Sequence, residues 1–365
     1  MPKLKNKNLN NYFLNLSNKL SEINQFETFP NPCVGAVLVN KYDVKTSCTG
    51  KKGSPHAEYQ LLKNKSKLNK SLLYTSLEPC CHKAKNPPCV DIIIKKKIKK
   101  IYTNSRDFDE RVKGKTKKIL NQKKIKIIYK KNEPSSSFVH NISSRGKIPY
   151  VVTKIAMSKD GFTKHKKKKI FTSVNALKFA HLQRYKSDSI LIGQKTLNDD
   201  NPKLNSRIDG IEKKIKIFII NRHLKINPKI LKNFYLKNAY IFHDCKDINK
   251  IKKFNKFFKL ININFSKKDI CLTILRNVYQ LGYKKILIEG GIYTLKSFLN
   301  AQLVNELYIV KNKHFFKKHG LLKASKFINS LKIMPDEIIS LEDDTILKYK
   351  PKYVYRDNTK HRQIK

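Results

Sequence analysis

Short runs of apolar residues alternate with amphipathic segments along roughly the first third of the chain. Short apolar runs are typical of buried strands. They predict strands at 34–39 and 72–75 and, interrupted by Lys, at 98–103 and 125–129. Helical spacing of apolar residues predicts helices over 56–62 and 90–94. Strands and helices that alternate in this order predict a layered α/β domain.

The same alternation continues in the second half of the chain. Apolar runs predict strands at 150–156, 189–192, 215–220, 239–242 and 285–288, and a helix over 293–299. Between the halves, residues 132–137 are polar and rich in turn formers, which is typical of a linker. A chain of 365 residues with 40% hydrophobic content can bury two cores. We therefore expect two domains, residues 1–146 and 147–365.

Net charge is the most unusual bulk property, at +52 at pH 7. A charge of this size usually indicates a nucleic-acid partner. Here the excess positive charge comes mostly from Lys, which is spread over predicted helices and strands. Asn and Ile are abundant as well, and because all three residues have A/T-rich codons, a bias of the genome explains the composition without any partner. Arg is the residue preferred for reading phosphates and bases. We therefore expect no specific nucleic-acid partner, and only weak, salt-sensitive adhesion to RNA.

Membrane and disulfide signals are weak. No apolar run is long enough to span a bilayer. The Asn- and Lys-rich N-terminal segment lacks the apolar stretch of a signal peptide. We therefore expect a cytoplasmic protein with no membrane partner. The seven Cys, an odd number, do not resemble a disulfide framework in a chain of this length. Metal binding explains some of them better.

A cluster of residues with metal-binding chemistry lies in the first half, in the motifs HAE at 56–58, PCCH at 79–82 and PPC at 87–89. A hydrolytic zinc site uses three protein ligands and leaves the fourth position for water, whose pKa the metal lowers to about 7. The predicted ligands are His56, Cys80 and Cys89. Glu58 is predicted to move protons without binding the metal. These parts are typical of zinc-dependent deaminases.

Alternatives to this ligand set remain at this point. A single Cys or His is more often a buried core residue than a ligand, but the order of the three motifs is hard to obtain by chance. The prolines before Cys80 and Cys89 indicate helix starts, where the helix dipole favours a thiolate. By position alone, Cys81 and His82 are competing ligands, and we rank them below Cys80 and Cys89.

A turn with two glycines follows the predicted strand at 285–288. Glu289, Gly290 and Gly291 lead from that strand into the predicted helix. Two glycines at a strand-to-helix turn allow a phosphate to approach the backbone N–H groups at the start of the helix. The signal is weak alone because such turns are common. It is not the G-x-G-x-x-G motif, so an ordinary Rossmann domain is not supported.

Motifs in both halves match one enzyme family. The first half carries PNPCVGAV at 30–37, HAE at 56–58 and LEPCCH at 77–82. Eight residues separate Cys80 from Cys89, whereas nucleic-acid and nucleoside deaminases generally have two residues between the corresponding Cys. The second half carries KIAMSKDG at 154–161, DNPKL at 200–204 and EGG at 289–291. Over nearly its whole length the chain resembles the bifunctional deaminase/reductases of riboflavin biosynthesis.

The resemblance implies an α/β protein with a cytidine-deaminase-like three-layer domain followed by a dihydrofolate-reductase-like domain. It implies one Zn²⁺ in the deaminase domain and NADPH in the reductase domain. The implied first reaction is deamination of 2,5-diamino-6-ribosylamino-4(3H)-pyrimidinone 5′-phosphate. The second is reduction of the ribosyl group to ribityl by NADPH. The implied partner is thus a small phosphorylated pyrimidine, and assembly as a homo-oligomer is left open.

The resemblance also implies roles for individual residues. In the deaminase domain, the residues implied to contact the substrate are Asn31, His82 and Lys85. In the reductase domain, those implied to contact the substrate are Lys154, Arg184, Leu204, Arg207 and Glu289. Those implied to contact NADPH are Ala156, Thr196, Asp200, Gly290, Gly291, Ile292, Tyr293 and Thr294.

Three segments depart from the family pattern. Residues 47–49 read SCT where the family has a Gly-rich segment with an aromatic residue and a His near the substrate phosphate. Residues 164–171 read KHKKKKIF in place of a stretch with Gly, Ser and Trp, and Asn221-Arg222 stands where the family tends to carry Asp-Ser. We expect the lysines at 166–169 to form a solvated loop. Two alternatives stay open: a deaminase whose reductase domain is degenerate and, less favoured because of the Cys80–Cys89 spacing, a nucleic-acid-directed deaminase.

Overall fold

The chain forms two structural units, Met1–Lys147 and Ile148–Lys365. The computed structural model describes residues 6–24, 27–28, 31–64, 68, 70–83, 86–107, 109, 111–112, 114–130, 139, 143, 146–167, 171–208, 211–213, 215–331 and 333–351. The predicted linker at 132–137 and the predicted substrate contact Lys85 lie outside these ranges. In the described part of the chain, no helix is both long and apolar enough to cross a membrane.

The first unit is built on a five-stranded sheet with the order β2-β1-β3-β4-β5. Its strands are β1 (Gly35–Val39), β2 (Val44–Cys48), β3 (Leu72–Thr75), β4 (Lys100–Thr103) and β5 (Lys126–Tyr129). The pairs β2–β1 and β1–β3 are antiparallel, whereas β3–β4 and β4–β5 are parallel. The described helices are α1 (Asn6–Leu20), α2 (Ala57–Leu62), α3 (Cys89–Lys95) and α4 (Lys115–Gln122).

Both faces of this sheet are covered, because alternate residues of a strand point to opposite faces. Val37 packs with Phe13 and Leu14 of α1 in one apolar cluster. Its neighbours Ala36 and Leu38 pack in a second cluster, with apolar residues of α2, α3 and α4. The first unit is therefore a three-layer α/β/α sandwich, as the resemblance implied.

The second unit is built on a nine-stranded sheet with the order β13-β12-β11-β8-β14-β6-β15-β18-β17. Its strands are β6 (Tyr150–Met157), β8 (Ser189–Gly193), β11 (Lys216–Ile220), β12 (Tyr240–His243), β13 (Lys259–Asn262), β14 (Lys285–Glu289), β15 (Glu306–Asn312), β17 (Glu337–Ser340) and β18 (Asp344–Tyr349). The strands from β13 to β15 are parallel, and β15–β18 and β18–β17 are antiparallel.

Two antiparallel ribbons and six described helices complete this unit. The ribbons pair β7 (Phe162–His165) with β16 (Gly320–Lys323), and β9 (Ser206–Ile208) with β10 (Ile211–Lys213). The helices are α5 (Val174–Tyr185), α6 (Gln194–Asp200), α7 (Ile248–Asn255), α8 (Ile270–Gln280), α9 (Ile292–Asn300) and α10 (Ser325–Ser330). Short 3₁₀ helices lie at Lys51–Gly53, Pro228–Lys232, Phe234–Leu236 and Lys317–His319.

The strands predicted from apolar runs are present with shifts of at most two residues at their ends. Strand 34–39 is observed as Gly35–Val39, and strand 98–103 as Lys100–Thr103. The helices predicted at 90–94 and 293–299 are observed as Cys89–Lys95 and Ile292–Asn300. The α/β fold class is confirmed. The parallel strands β6, β8, β11 and β14 end at one edge of the sheet, where ligands bind in open α/β sheets.

Candidate active sites

The three predicted metal ligands meet at the starts of two helices. His56 is the residue immediately before α2, and Cys89 is the first residue of α3. The Nδ1 atom of His56 lies 3.3 Å from Sγ of Cys89 and 3.5 Å from Sγ of Cys80. The ligand atoms of all three residues lie within 4.8 Å of one another. The structure thus brings together residues that are up to 33 positions apart in the chain.

The protonation of the two thiols suits a soft divalent cation. A hydrogen bond from Cys89 lowers the pKa of the Cys80 thiol to about 4. The same bond, together with burial, raises the pKa of the Cys89 thiol well above its usual value. Zinc binds thiolates, so a zinc ion would displace the thiol proton on binding. One imidazole and two sulfurs that converge in this way fit Zn²⁺, which prefers N and S ligands in tetrahedral array.

Glu58 lies in the first turn of α2, two residues after the predicted ligand His56. Its side chain is buried, with 3% exposed. Burial raises the pKa of its carboxyl group, and the negative charge of Cys80 raises it further. A carboxyl group whose pKa moves toward neutrality can both accept and return a proton, which is what a general acid–base must do.

Cys81 and His82, the competing ligands, lie apart from this triangle. Among the described residues, the atoms that converge belong only to His56, Cys80 and Cys89. The Cys81 thiol donates instead to the carbonyl oxygen of Arg111, at 3.5 Å. The Nδ1 atom of His82 is buried and has no hydrogen-bond partner in the described part of the chain. A buried imidazole nitrogen without a partner is compatible with the predicted contact to substrate.

Asn31 and Thr49 are fixed by backbone contacts near this site. The side-chain amide of Asn31 donates to the carbonyl oxygen of Gly53 at 2.9 Å. Gly53 has a φ of +78°, and a Cβ there would lie 2.7 Å from the Asn31 side chain, so only glycine fits. Thr49 is buried, and its hydroxyl accepts from the N–H of Val34 at 2.9 Å. Thr49 therefore has a structural role where the family carries a residue near the substrate phosphate.

The sequence reasoning missed two acidic residues beside this site, the buried Glu78 and the half-buried Asp107. The N–H of Asp107 donates to Oε2 of Glu78 at 3.1 Å, and the Tyr129 hydroxyl donates to Oε1 at 2.6 Å. Burial raises the pKa of Asp107 to about 6, and Cys80 contributes to the same shift. The available signal was topological: Glu78 and Asp107 follow the adjacent parallel strands β3 and β4, whose following loops meet at one edge.

The second unit contains a cavity of about 820 Å³ at the carboxyl edge of its sheet. The cavity is lined by eleven of the thirteen residues predicted for the reductase: Lys154, Ala156, Arg184, Thr196, Asp200, Leu204, Glu289, Gly290, Gly291, Tyr293 and Thr294. Arg207 and Ile292 are not among the lining residues. Arg207 is exposed, and its N–H donates to Nδ1 of His181. Ile292 packs in the hydrophobic core.

A buried charge cluster lies on one side of this cavity. Arg184 of α5 donates to both carboxylate oxygens of Glu289, from Nε at 3.0 Å and from Nη2 at 2.6 Å. Burial alone would raise the pKa of Glu289, but Arg184 and Lys154 outweigh it and hold the pKa below its usual value. Burial lowers the pKa of Lys154, against the attraction of Glu289. The cluster thus places a carboxylate and an amine with a lowered pKa in one cavity.

The glycine turn lies beside this charge cluster, at the start of α9. The N–H of Gly291 donates to Oγ1 of Thr196 at 3.0 Å. A Cβ on Gly193 would lie 2.6 Å from Oγ1 of Thr294, so glycine is required for this close approach. A helix N-terminus reached through glycines fits a pyrophosphate group, and the cavity volume lies within the range of cofactor sites. The residues present therefore fit a nicotinamide dinucleotide.

The altered segment KHKKKKIF also contributes to the cavity wall. Lys166 and Lys167 are exposed, as expected of a solvated loop, yet both line the cavity. Residues 168–170 lie outside the described ranges. The ring of Phe171 contacts the ring of Phe316 edge-on, with centroids 4.9 Å apart. An aromatic contact is thus present in a segment that lacks the Trp of the family pattern.

Comparison with known proteins gives the same division of the chain. The model of the cytidine and deoxycytidylate deaminase zinc-binding region matches residues 7–105, and the model of the RibD C-terminal domain matches residues 149–312. The riboflavin biosynthesis protein RibD of Aquifex aeolicus is 27% identical over 352 residues, which is 93% of this chain and 97% of that protein. RibD of Actinobacillus pleuropneumoniae is 29% identical over 294 residues, which is 77% of each chain.

Solved structures confirm the fold. Acinetobacter baumannii RibD matches with a TM-score of 0.78 and 22% identity, over 94% of this chain and 99% of that one. A diaminohydroxyphosphoribosylaminopyrimidine deaminase/5-amino-6-(5-phosphoribosylamino)uracil reductase from Thermotoga maritima matches with a TM-score of 0.74 and 21% identity, over the same shares. A deaminase zinc-binding region is thus followed by a RibD C-terminal domain, and the chain aligns with a RibD protein along nearly its whole length. This chain therefore belongs to the RibD family of bifunctional proteins.

Proposed function

We propose that the chain catalyses two consecutive reactions of riboflavin biosynthesis. In the first, 2,5-diamino-6-ribosylamino-4(3H)-pyrimidinone 5′-phosphate loses an amino group as ammonia. In the second, the ribosyl group of the product is reduced to ribityl. The observation that carries this proposal is the convergence of His56, Cys80 and Cys89 within 4.8 Å, in a chain that also holds the Lys154–Glu289–Arg184 cavity.

In the deaminase site, His56, Cys80 and Cys89 would hold one Zn²⁺. When bound, the metal lowers the pKa of a coordinated water and so supplies a nucleophile at neutral pH. The buried Glu58 carboxyl takes up the proton released when water attacks the amino-bearing ring carbon, and returns a proton to the departing amine. Its raised pKa allows both transfers. Asn31, His82 and Lys85 are proposed to bind the substrate.

In the reductase site, the glycine turn at 290–291 would hold the NADPH pyrophosphate, and the cofactor when bound supplies a hydride. Reduction at C1′ breaks the bond from C1′ to the ring oxygen, and that oxygen then needs a proton. We assign this proton to the Lys154 ammonium, because burial lowers its pKa and so favours release of a proton. Glu289 and Arg184 hold each other, and Glu289 lies opposite Lys154 in the paired strands β14 and β6.

The remaining proposed contacts come from the family resemblance, and all but two of them line the cavity. The proposed substrate contacts are Arg184, Leu204 and Arg207, and the proposed cofactor contacts are Ala156, Thr196, Asp200, Ile292, Tyr293 and Thr294. For Arg207 and Ile292 the support is the family resemblance alone, since neither lines the cavity. A cytoplasmic location and assembly with further copies of the chain stay predictions.

The deaminase-only alternative is separated from the two-step function by the charge cluster. A degenerate reductase would have no reason to keep Arg184, Glu289 and Lys154 buried together, because burial of such charges costs free energy. The alternative draws its support from the altered segment at 164–171, whose lysines line the cavity. The nucleic-acid-directed alternative is disfavoured by the spacing from Cys80 to Cys89, as before.

A two-step assay on the purified protein tests the proposal. The protein is incubated with zinc, the pyrimidinone phosphate and NADPH, and ammonia release and NADPH oxidation are followed separately. Both signals are expected. Absence of ammonia contradicts the deaminase assignment, whereas ammonia without NADPH oxidation selects the deaminase-only alternative. If the deaminated intermediate is supplied directly, the reductase is tested alone.

A further inference from the structure

Three consecutive residues at the start of strand β9 are held by helix α5. Nη1 of Arg184 donates to the carbonyl oxygen of Asn205 at 3.1 Å. The Ser206 hydroxyl donates to the carbonyl oxygen of His181 at 2.9 Å, and the N–H of Arg207 donates to Nδ1 of the same His181 at 3.1 Å. His181 and Arg184 are three residues apart on α5 and therefore lie on the same side of the helix. Asn205, Ser206 and Arg207 thus form one docked segment, in which every residue is bonded to that side of α5.

The docked segment fixes the place of a residue in the cavity wall. Leu204 comes immediately before the segment, lines the cavity and is only 3% exposed. Its φ of +54° lies in the left-handed region, which is disfavoured for a residue with a Cβ. Such a conformation persists only where the surrounding structure holds it. The contacts of the docked segment with α5 therefore govern the positions of two proposed substrate contacts, Leu204 before the segment and Arg207 at its end.

The two residues of α5 that hold the docked segment differ in their other contacts. Arg184 also donates to both carboxylate oxygens of Glu289 and so belongs to the charge cluster of the cavity. His181 is half-buried and is not among the lining residues of the cavity. The imidazole of His181 therefore acts on the docked segment and not on a ligand.

The hydrogen bond from Arg207 requires a neutral His181. Nδ1 can accept only when it carries no proton, and the imidazolium form has a proton on both ring nitrogens. Burial lowers the pKa of His181, and the positive charges of Arg184 and Arg207 lower it further. A hydrogen bond with the Asn205 backbone and the negative charge of Glu289 oppose this shift without outweighing it. The groups that face His181 from α5, β9 and β14 thus favour the neutral form at neutral pH.

We propose that His181 is a positioning residue of the reductase site, which docks residues 205–207 on α5 and so places Leu204 and Arg207 for the substrate. The inference rests on the proposed reductase function, since it assumes that the substrate binds in this cavity. Because the imidazolium form cannot accept the Arg207 N–H, substrate binding weakens as the pH falls through the pKa of His181. That pKa lies below the ordinary value of about 6.5, so the weakening occurs on the acid side of neutrality.

Steady-state kinetics of the full-length protein with NADPH and the deaminated intermediate test this role. His181→Ala removes the acceptor and should raise KM for the intermediate by about 2- to 10-fold at neutral pH, the scale of one lost hydrogen bond. The value of kcat and the dissociation constant of NADPH should stay unchanged, because the docked segment carries no proposed cofactor contact. His181→Asn should recover most of the affinity, because the Oδ1 atom of Asn can take the place of Nδ1 as an acceptor.

The pH profile separates positioning from a merely structural role. As the pH falls from neutrality toward about 5, KM of the unsubstituted protein should rise relative to KM of His181→Asn, which has no imidazole to protonate. The substrate phosphate titrates near pH 6 in both measurements, so the ratio of the two KM values cancels its contribution. A ratio that changes with pH therefore reports the protonation of His181.

His314→Asn is the matched control. His314 is exposed and is not among the lining residues, so the same substitution there should leave KM and its pH profile unchanged. If His181→Ala leaves KM unchanged, if His181→Asn recovers no affinity, or if the KM ratio stays constant with pH, the assigned role is wrong while the reductase proposal stands. If the unsubstituted protein does not oxidise NADPH when it is given the intermediate, the reductase proposal fails and this inference fails with it.

Discussion

The substitution Glu289→Gln tests the buried charge cluster of the second unit. The side chains of Arg184 and Glu289 are only 18% and 10% exposed, and two hydrogen bonds join them. Removal of one charge leaves Arg184 and Lys154 as neighbouring buried cations. Breaking a buried ion pair in this way costs about 3–5 kcal/mol, and because Gln keeps one acceptor we expect the lower end, about 3 kcal/mol.

Urea unfolding of the full chain measures this cost. Two transitions are expected from two units, and the transition that does not move when zinc is added belongs to the second unit. Glu289→Gln should lower the midpoint of that transition only. The control is Glu337→Gln, which removes the partner of Lys348 in a pair whose carboxylate is 52% exposed and should cost less than about 1 kcal/mol. Equal effects of the two substitutions would refute the reasoning.

The same variant has a predicted pH dependence. The pKa of Glu289 is lower in the folded state than in the unfolded chain. Its ionised form therefore stabilises the fold at any pH above the pKa that Glu289 has in the unfolded chain. That stabilisation is lost as the pH falls through the lower, folded-state pKa. Glu289→Gln has no such group, so the stability of its second unit should fall less steeply on acidification. A parallel decline in both proteins would contradict the assigned direction.

Three further predictions concern the two sites. Cys80→Ser and Cys89→Ser should each reduce the zinc content from about one ion per chain toward none, as measured by metal analysis. Cys81→Ser should leave the zinc content unchanged. Loss of zinc in the Cys81 variant would contradict the ligand set. Thr49→Val should destabilise the first unit by about 1–2 kcal/mol in urea, because the buried N–H of Val34 loses its acceptor, and Thr49→Ser should not. Gly193→Ala should destabilise the second unit by about 1–3 kcal/mol in urea, because its Cβ would lie 2.6 Å from Oγ1 of Thr294, and Thr294→Ala should remove part of that cost in the double variant.

The sequence predicted what depends on local pattern. Strands such as β8 and β14 are uninterrupted apolar runs because both of their faces are covered, and such runs are visible without any knowledge of the fold. The convergence of His56 and Cys89 was predictable because each stands at a helix start inside a short motif. Helix α1 was missed because Asn and Lys dilute its apolar positions. It is held by Phe13 and Leu14, which pack against Val37 and Tyr74 of the sheet.

Features that depend on contacts distant in the chain were not predictable. Asp107 carries no motif, and it joins the deaminase site only because β3 and β4 are neighbours. Arg222 looked like a plain departure from the family pattern until the strand order placed it on the cavity. The family resemblance implied Ile292 as a cofactor contact, and its side chain packs in the core, so a contact there would have to use its backbone. On a helix, neighbouring residues face different sides.

Glu58→Gln provides the most direct test of the central claim, that one chain carries two independent active sites. Zinc content, ammonia release and NADPH oxidation are measured together on the variant and on the unsubstituted protein. We predict that the variant keeps its zinc and releases ammonia at least 100-fold more slowly, the scale of a lost general acid–base. When it is given the deaminated intermediate, it should oxidise NADPH at the unsubstituted rate. Ammonia release at the unsubstituted rate, or loss of both activities with zinc retained, would contradict the account.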